Sequence, residues 1–175
     1  AEWKVDPAKI IVCGSSAAGH LACSLGVFWD NELVYDAIGR TPAQIRPDGL
    51  ILCYPVITGG EYAHVNSFKR LLGDDVTQEQ RDAVSLENFV TEQTPRAFIW
   101  HTYTDENVPV ENSLLLAAAM KRKNVNFELH IYPTGGHGLS LADEETAGNG
   151  FQVVEQCQSW IPLVKMWLKH FEASC

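Results

Sequence analysis

Three short stretches carry side chains whose types and order suit nucleophilic chemistry. The first is Gly14-Ser15-Ser16-Ala17-Ala18, inside "IVCGSSAAGH", where an apolar run stops at small residues and a helical segment begins. It is nearly the G-x-S-x-G turn that places a serine on a sharp strand-to-helix corner, with Ala18 at the last glycine position. The corner is tight, so the residues two away on each side must be small. Ser16 Oγ then stands beyond the strand end, and the N–H of Ala17 points at the same place as an oxyanion donor. The second stretch, "IWHTYTDENVP", places Asp105 just after an apolar run. The third, "YPTGGHG", places His137 in a glycine-rich loop after another run. A serine hydroxyl needs a base to take its proton, and the base needs an acid to orient it. Ser16, Asp105 and His137 supply the three groups.

Each has a plainer alternative. Ser15 is the rival nucleophile, but Cys13 rather than glycine stands two before it. Asp105 could cap the helix that begins near Pro109, and Glu106 is one position too far along. His137 could be a solvated loop histidine. His20 reads as structural, a turn into the helix after Ser16. His101 ends a strand and hydrogen-bonds locally. His64, His130 and His170 have no supporting pattern. Asp74, Asp75 and the run Asp143-Glu144-Glu145 read as solvated surface. Trp160 and Trp167 read as core packing.

The elements that must position the three groups alternate along the chain. Residues 10–13, 50–53 and 97–100 are apolar at consecutive positions, as strands covered on both faces are. Residues 126–132 alternate, with Phe127, Leu129 and Ile131 on one side and Asn126, Glu128 and His130 on the other, which predicts an edge strand with one wet face. Helices are predicted over residues 17–29, 110–123 and 160–171. The second has Leu114, Leu115, Ala118 and Met120 on its apolar side. The last carries a stripe of Trp160, Leu163, Val164, Trp167 and Phe171, with Ser159 as N-cap. Between the second and third strands, "TGGEYAHVNSF" reads as loop and "TQEQRDAVS" as a short helix capped by Thr77. Strand and helix alternate, so the class is α/β with a mostly parallel sheet and helices on both faces.

Composition excludes several functions. The 175-residue chain is 46% hydrophobic and 20% charged, ordinary for a globular domain with a sizeable core. The net charge of −9 argues against nucleic acid and anionic membrane as partners. No apolar run approaches the roughly 18 residues of a membrane span. The five cysteines include no CxxC pair, and Cys13 and Cys53 lie in strand-like runs where cysteine behaves as a small buried hydrophobe. Free thiols in a reducing, cytoplasmic setting are the default reading, with no metal site.

The stretches "DPAKIIVCGSSAAGHLA", "YPVIT" and residues 85–142, together with the final amphipathic helix, resemble the C-terminal part of an α/β-hydrolase of the esterase/lipase type. The closest resemblance is to short-chain carboxylesterases that include acetyl xylan esterase-like proteins. The resemblance implies Ser16 as nucleophile, Asp105 as acid and His137 as general base. It implies hydrolysis of short acyl esters, acetyl groups on plant-polysaccharide sugars among them, through an acyl-enzyme and without a cofactor. The partner would be a small-molecule or oligosaccharide ester. Two departures accompany it. Ala18 replaces the family's usual glycine. The family's first strands and its glycine-rich oxyanion loop lie upstream of Ala1. The expectation is therefore that residues 1–175 form the C-terminal part of one α/β-hydrolase domain, with 54–96 as an insertion that builds the substrate pocket. Its N-terminal strands would be missing, its nucleophile strand an uncovered edge and its oxyanion hole incomplete, which leaves activity of the chain alone an open question. Two other functions are open: a serine peptidase of the prolyl-oligopeptidase type, with the same order of groups, and a non-catalytic binding protein on a hydrolase scaffold.

Overall fold

The computed structural model describes residues 4–148 and 153–172. Four strands form one sheet: β1 (Ile11–Ser15), β2 (Gly49–Cys53), β3 (Arg96–Thr102) and β4 (Phe127–Tyr132). All pairs are parallel and the order is sequential, with β1 and β4 at the two edges. The helices are α1 (Ser16–Phe28), α2 (Glu32–Ala37), α3 (Pro42–Ile45), α4 (Val65–Leu72), α5 (Gln78–Asp82), α6 (Glu111–Arg122), α7 (Glu155–Gln158) and α8 (Trp160–Glu172), with a 3-10 turn at Leu86–Asn88.

The middle strands are buried on both faces, as their unbroken apolar runs require. Leu50, Leu52, Ala97 and Ile99 point into one core with Ala22, Cys23 and Val27 of α1 and Leu116, Ala119 and Met120 of α6. Ile51, Cys53, Phe98 and Trp100 point the other way, against Trp160, Val164 and Trp167 of α8. Burying a large apolar side chain contributes about 1.5–3 kcal/mol, so these two layers hold the sheet. A smaller cluster of Val56, Phe68 and Val108 packs at the carboxyl ends of the strands.

Several expectations need correction. The stretch expected to be loop after β2 contains α4, where Phe68 is buried and Leu72 packs beside it. The apolar face assigned to α6 is rotated. Leu114 is 46% exposed, while Asn112 and Ser113 are fully buried. Two polar residues occupy the core side of the first turn because each has buried hydrogen-bond partners, and that masks the hydrophobic period. Ser159 does not cap α8. It has helical dihedrals at the end of α7, and its hydroxyl donates to the Gln156 carbonyl. β4 is the expected edge strand, with Phe127 and Leu129 packed on the core and Asn126 exposed, but the alternation is lost toward its end. His130 packs on Phe98 and bonds to Glu128, and Tyr132 packs on Trp100, whereas Ile131 on the apolar side is 37% exposed. Cys13 is exposed, because β1 is an edge strand with little packed over that side chain; Cys23, Cys53 and Cys157 are buried, and all four are free. Cys175 and the side chain of Phe171 lie outside the described residues. Thr77 does cap α5, exchanging hydrogen bonds with Gln80.

Candidate active site

The elbow forms where Ser15 ends β1 and Ser16 opens α1. Ser16 has a φ of 54°, a left-handed conformation that costs a non-glycine residue about 1–3 kcal/mol and persists only where its surroundings hold it. Here its carbonyl accepts the Val56 amide at 3.0 Å, tying the corner to the loop after β2. The small neighbours are needed for stated reasons. A Cβ on Gly14 would lie 2.1 Å from the Ala18 carbonyl oxygen, and one on Gly19 would lie 2.7 Å from Pro55 Cβ. Ala18 itself is exposed, so alanine has room there. The second obligatory small position is Gly19, one residue later than the motif suggests.

His137 reaches the serine from the loop after β4. Gly135 and Gly138 have φ values of 146° and 81°, which a side chain would strain. A Cβ on Gly135 would also strike Leu139 and Thr102 at 2.8 Å, whereas one on Gly136 would meet nothing within 4 Å. Thr102 and Thr104 donate to the Gly135 carbonyl at 2.9 and 3.0 Å and fix the loop on the end of β3.

Ser16 Oγ lies 2.7 Å from His137 Nε2, and His137 Nδ1 lies 2.6 Å from Asp105 Oδ2. With the proton on Nδ1, the imidazole donates to the carboxylate and leaves Nε2 free to accept from the serine. Asp105 Oδ1 accepts the amides of Asn107 and Val108 at 3.0 and 2.9 Å. The side chain is shut off from solvent. Burial alone would push this carboxyl up, but donors from His101, His137 and the Val108 amide outweigh it and hold it well below the usual carboxylate range. It is therefore an anion placed to stabilise an imidazolium.

The alternatives separate cleanly. Ser15 lines a separate hollow with Cys13, Tyr54 and Trp160. Glu106 is exposed and lines a polar hollow with Thr104, Asn107, Gly135, Gly136 and His137. Asp105 caps its own turn rather than α6, whose N-cap is Val110. His20 is structural: Nε2 donates to the Val84 carbonyl at 2.9 Å. Ala17 is the second residue of α1, where a backbone N–H has no partner within the helix.

Two supporting residues carry no sequence signal. Tyr54 follows β2 with a φ of 38°, and its ring packs edge-on against His137 at 5.1 Å and Trp100 at 5.0 Å. Asn112 is fully buried; Oδ1 accepts the Ile57 and Thr58 amides, and Nδ2 donates to the Tyr62 and Pro109 carbonyls. It joins residues 57–62 to the end of the Asp105 loop. Beside Ala17, α1 and residues 54–96 enclose an apolar groove of about 370 Å³ lined by His20, Leu21, Phe68, Leu71 and Leu86. Among the described residues no three His, Cys, Asp or Glu side chains come together as metal ligands, and no helix is long and apolar enough to cross a membrane.

Known proteins share this arrangement of elements. The chain is 42% identical over 148 residues to endo-1,4-beta-xylanase B of Butyrivibrio fibrisolvens, covering 82% of this chain and 22% of the relative. It is 30% identical over 144 residues to an acetylxylan esterase of Xylanibacter ruminicola, covering 79% of this chain and 28% of that one. The crystal structure of an acetyl ester-xyloside bifunctional hydrolase from Caldicellulosiruptor lactoaceticus superposes with a TM-score of 0.81 at 38% identity, over 98% of this chain and 60% of that one. The chain thus spans under a third of the length of those two curated relatives. The sequence profile of the prolyl oligopeptidase family matches residues 62–161. With a parallel sheet, helices on both faces and this profile, the chain belongs to the prolyl oligopeptidase family and has the α/β-hydrolase fold.

Proposed function

We propose that the chain carries the nucleophile, base and acid of a serine carboxylesterase that removes short acyl groups, acetyl foremost, from sugars of plant polysaccharide. The observation that carries this reading is the unbroken hydrogen-bonded line from Ser16 through His137 to Asp105. In the reaction Ser16 Oγ attacks the acyl carbonyl carbon as His137 Nε2 takes its proton. The carbonyl oxygen becomes an anion facing the Ala17 N–H. Collapse breaks the ester bond, and His137 returns the proton to the leaving sugar hydroxyl. Water then repeats the sequence on the acyl-enzyme and releases the acid. Asp105 stays ionised throughout and balances the imidazolium. The apolar groove beside Ala17 supports 54–96 as the insertion that shapes the acyl side of the pocket. The sugar-ester substrate draws on the acetylxylan esterase and on the acetyl ester-xyloside hydrolase among the relatives.

The family profile favours a second reading, a serine peptidase with the same three groups. One comparison separates them: acetate release from acetylated xylo-oligosaccharides against cleavage of a proline-containing peptide anilide. The esterase reading expects acetate release and no amide cleavage. The reverse result overturns it, and neither activity from the folded chain favours the non-catalytic scaffold.

A further inference from the structure

We infer that His101 is a positioning residue for this chemistry, holding the Asp105 carboxylate on His137 from the side away from the serine. The inference rests on the esterase reading for the roles of Asp105 and His137.

His101 sits near the end of β3, in a strand whose other central side chains are apolar, and it is completely buried. Its Nε2 lies 2.9 Å from the Val108 carbonyl oxygen and 3.3 Å from Asp105 Oδ2. Both are acceptors, so Nε2 bears the proton; it donates to the Val108 carbonyl, with the Asp105 carboxylate beside it as a longer electrostatic contact. On the opposite side of the ring, Nδ1 lies 2.8 Å from Ser113 Oγ, and the serine hydroxyl donates to it. Ser113 is also completely buried, in the first turn of α6. An imidazole in this place must meet its hydrogen-bonding needs inside the protein, which an aliphatic side chain would avoid. Asp105 thus has three hydrogen-bond donors, two amides on Oδ1 and the His137 imidazole on Oδ2, with the His101 Nε2–H as a longer electrostatic contact on Oδ2. With Oδ1 fixed by the turn, the second imidazole favours where Oδ2 presents its charge. Val108, whose carbonyl accepts the Nε2 proton, also donates its own amide to Oδ1, so ring, turn and carboxylate form one closed unit.

The test compares wild type, His101→Gln, His101→Leu and Ser113→Ala in the whole chain, with isotope-labelled histidine ring nitrogens. Gln offers an amide N–H near the place of Nε2, and Leu fills the space without a donor. The first readout is the proton resonance of the His137–Asp105 hydrogen bond, which needs no substrate. The second is turnover of p-nitrophenyl acetate. The resonance is expected to persist in wild type and His101→Gln and to broaden or vanish in His101→Leu. The kcat of His101→Leu is expected to fall about tenfold at unchanged KM, with most of it recovered in His101→Gln. Ser113→Ala, which leaves the Nε2 proton in place, should show a smaller change in the same direction, and it serves if His101→Leu does not fold. An unchanged resonance in His101→Leu, or a His101→Gln variant as impaired as His101→Leu, overturns the inference. Resonance changes as expected in a chain without turnover would uphold His101 and overturn the esterase reading instead.

Discussion

Replacing Asn112 with alanine is expected to cost far more than truncating Leu114, a larger but half-exposed apolar residue on the same helix. The side chain satisfies four backbone groups: the amides of Ile57 and Thr58 and the carbonyls of Tyr62 and Pro109. A buried polar group left without a partner costs about 1–3 kcal/mol. Water that enters the vacated space will recover part of this, so the expected loss is about 3–5 kcal/mol. That is a large share of the stability of a domain of this size. Urea denaturation followed by tryptophan fluorescence reads it as a lower midpoint at an unchanged slope. Leu114→Ala is the control. Leu114 is two residues further along, on another face and half-exposed, and its truncation should cost less than about 1 kcal/mol. An Asn112→Ala variant within about 0.5 kcal/mol of wild type would refute the reasoning, because it would mean that residues 57–62 do not depend on this anchor.

Three other substitutions or treatments have defined outcomes. Gly14→Ala should destabilise by about 3 kcal/mol or more, because the atom it strikes is backbone inside α1, whereas Gly136→Ala should leave the thermal midpoint unchanged. Limited alkylation followed by peptide mapping should modify Cys13 well before Cys23, Cys53 or Cys157, since it alone of these is exposed; equal labelling of Cys23, whose thiol burial pushes up to about 12, would contradict the packing. The folded-state carboxyl of Asp105 is depressed, so its contribution is complete above its ordinary range near pH 4 and is lost as pH falls below it. Wild type should therefore lose more stability between neutral pH and strong acid than Asp105→Asn does, as read from denaturation midpoints across pH.

The parts of this molecule that follow from local pattern were legible in the sequence. Buried strands show as unbroken apolar runs, and the elbow shows because its corner tolerates only small residues. The order of Ser16, Asp105 and His137 placed each after the correct strand. What stayed hidden depends on contacts between distant segments. α6 was assigned the wrong face because Asn112 and Ser113 point inward, and a polar residue that is buried for its hydrogen bonds looks the same in sequence as one that faces water. α4 is short, and its place in the fold is set by packing of Phe68 against Val56 and Val108. Cys13 lies in a run as apolar as that of Cys53, yet it is exposed because its strand is at the sheet edge. Tyr54 and His101 support the site from positions that no motif marks.

The central claim is that Ser16 is an activated nucleophile, and covalent labelling tests it most directly. The chain and its Ser16→Ala variant would be treated with a fluorophosphonate probe and weighed intact. One adduct on the wild-type chain, absent from Ser16→Ala, is the predicted result, and a matching loss in His137→Ala would identify the base. A folded wild-type chain that takes no adduct, or one that is labelled equally in Ser16→Ala, would contradict the account.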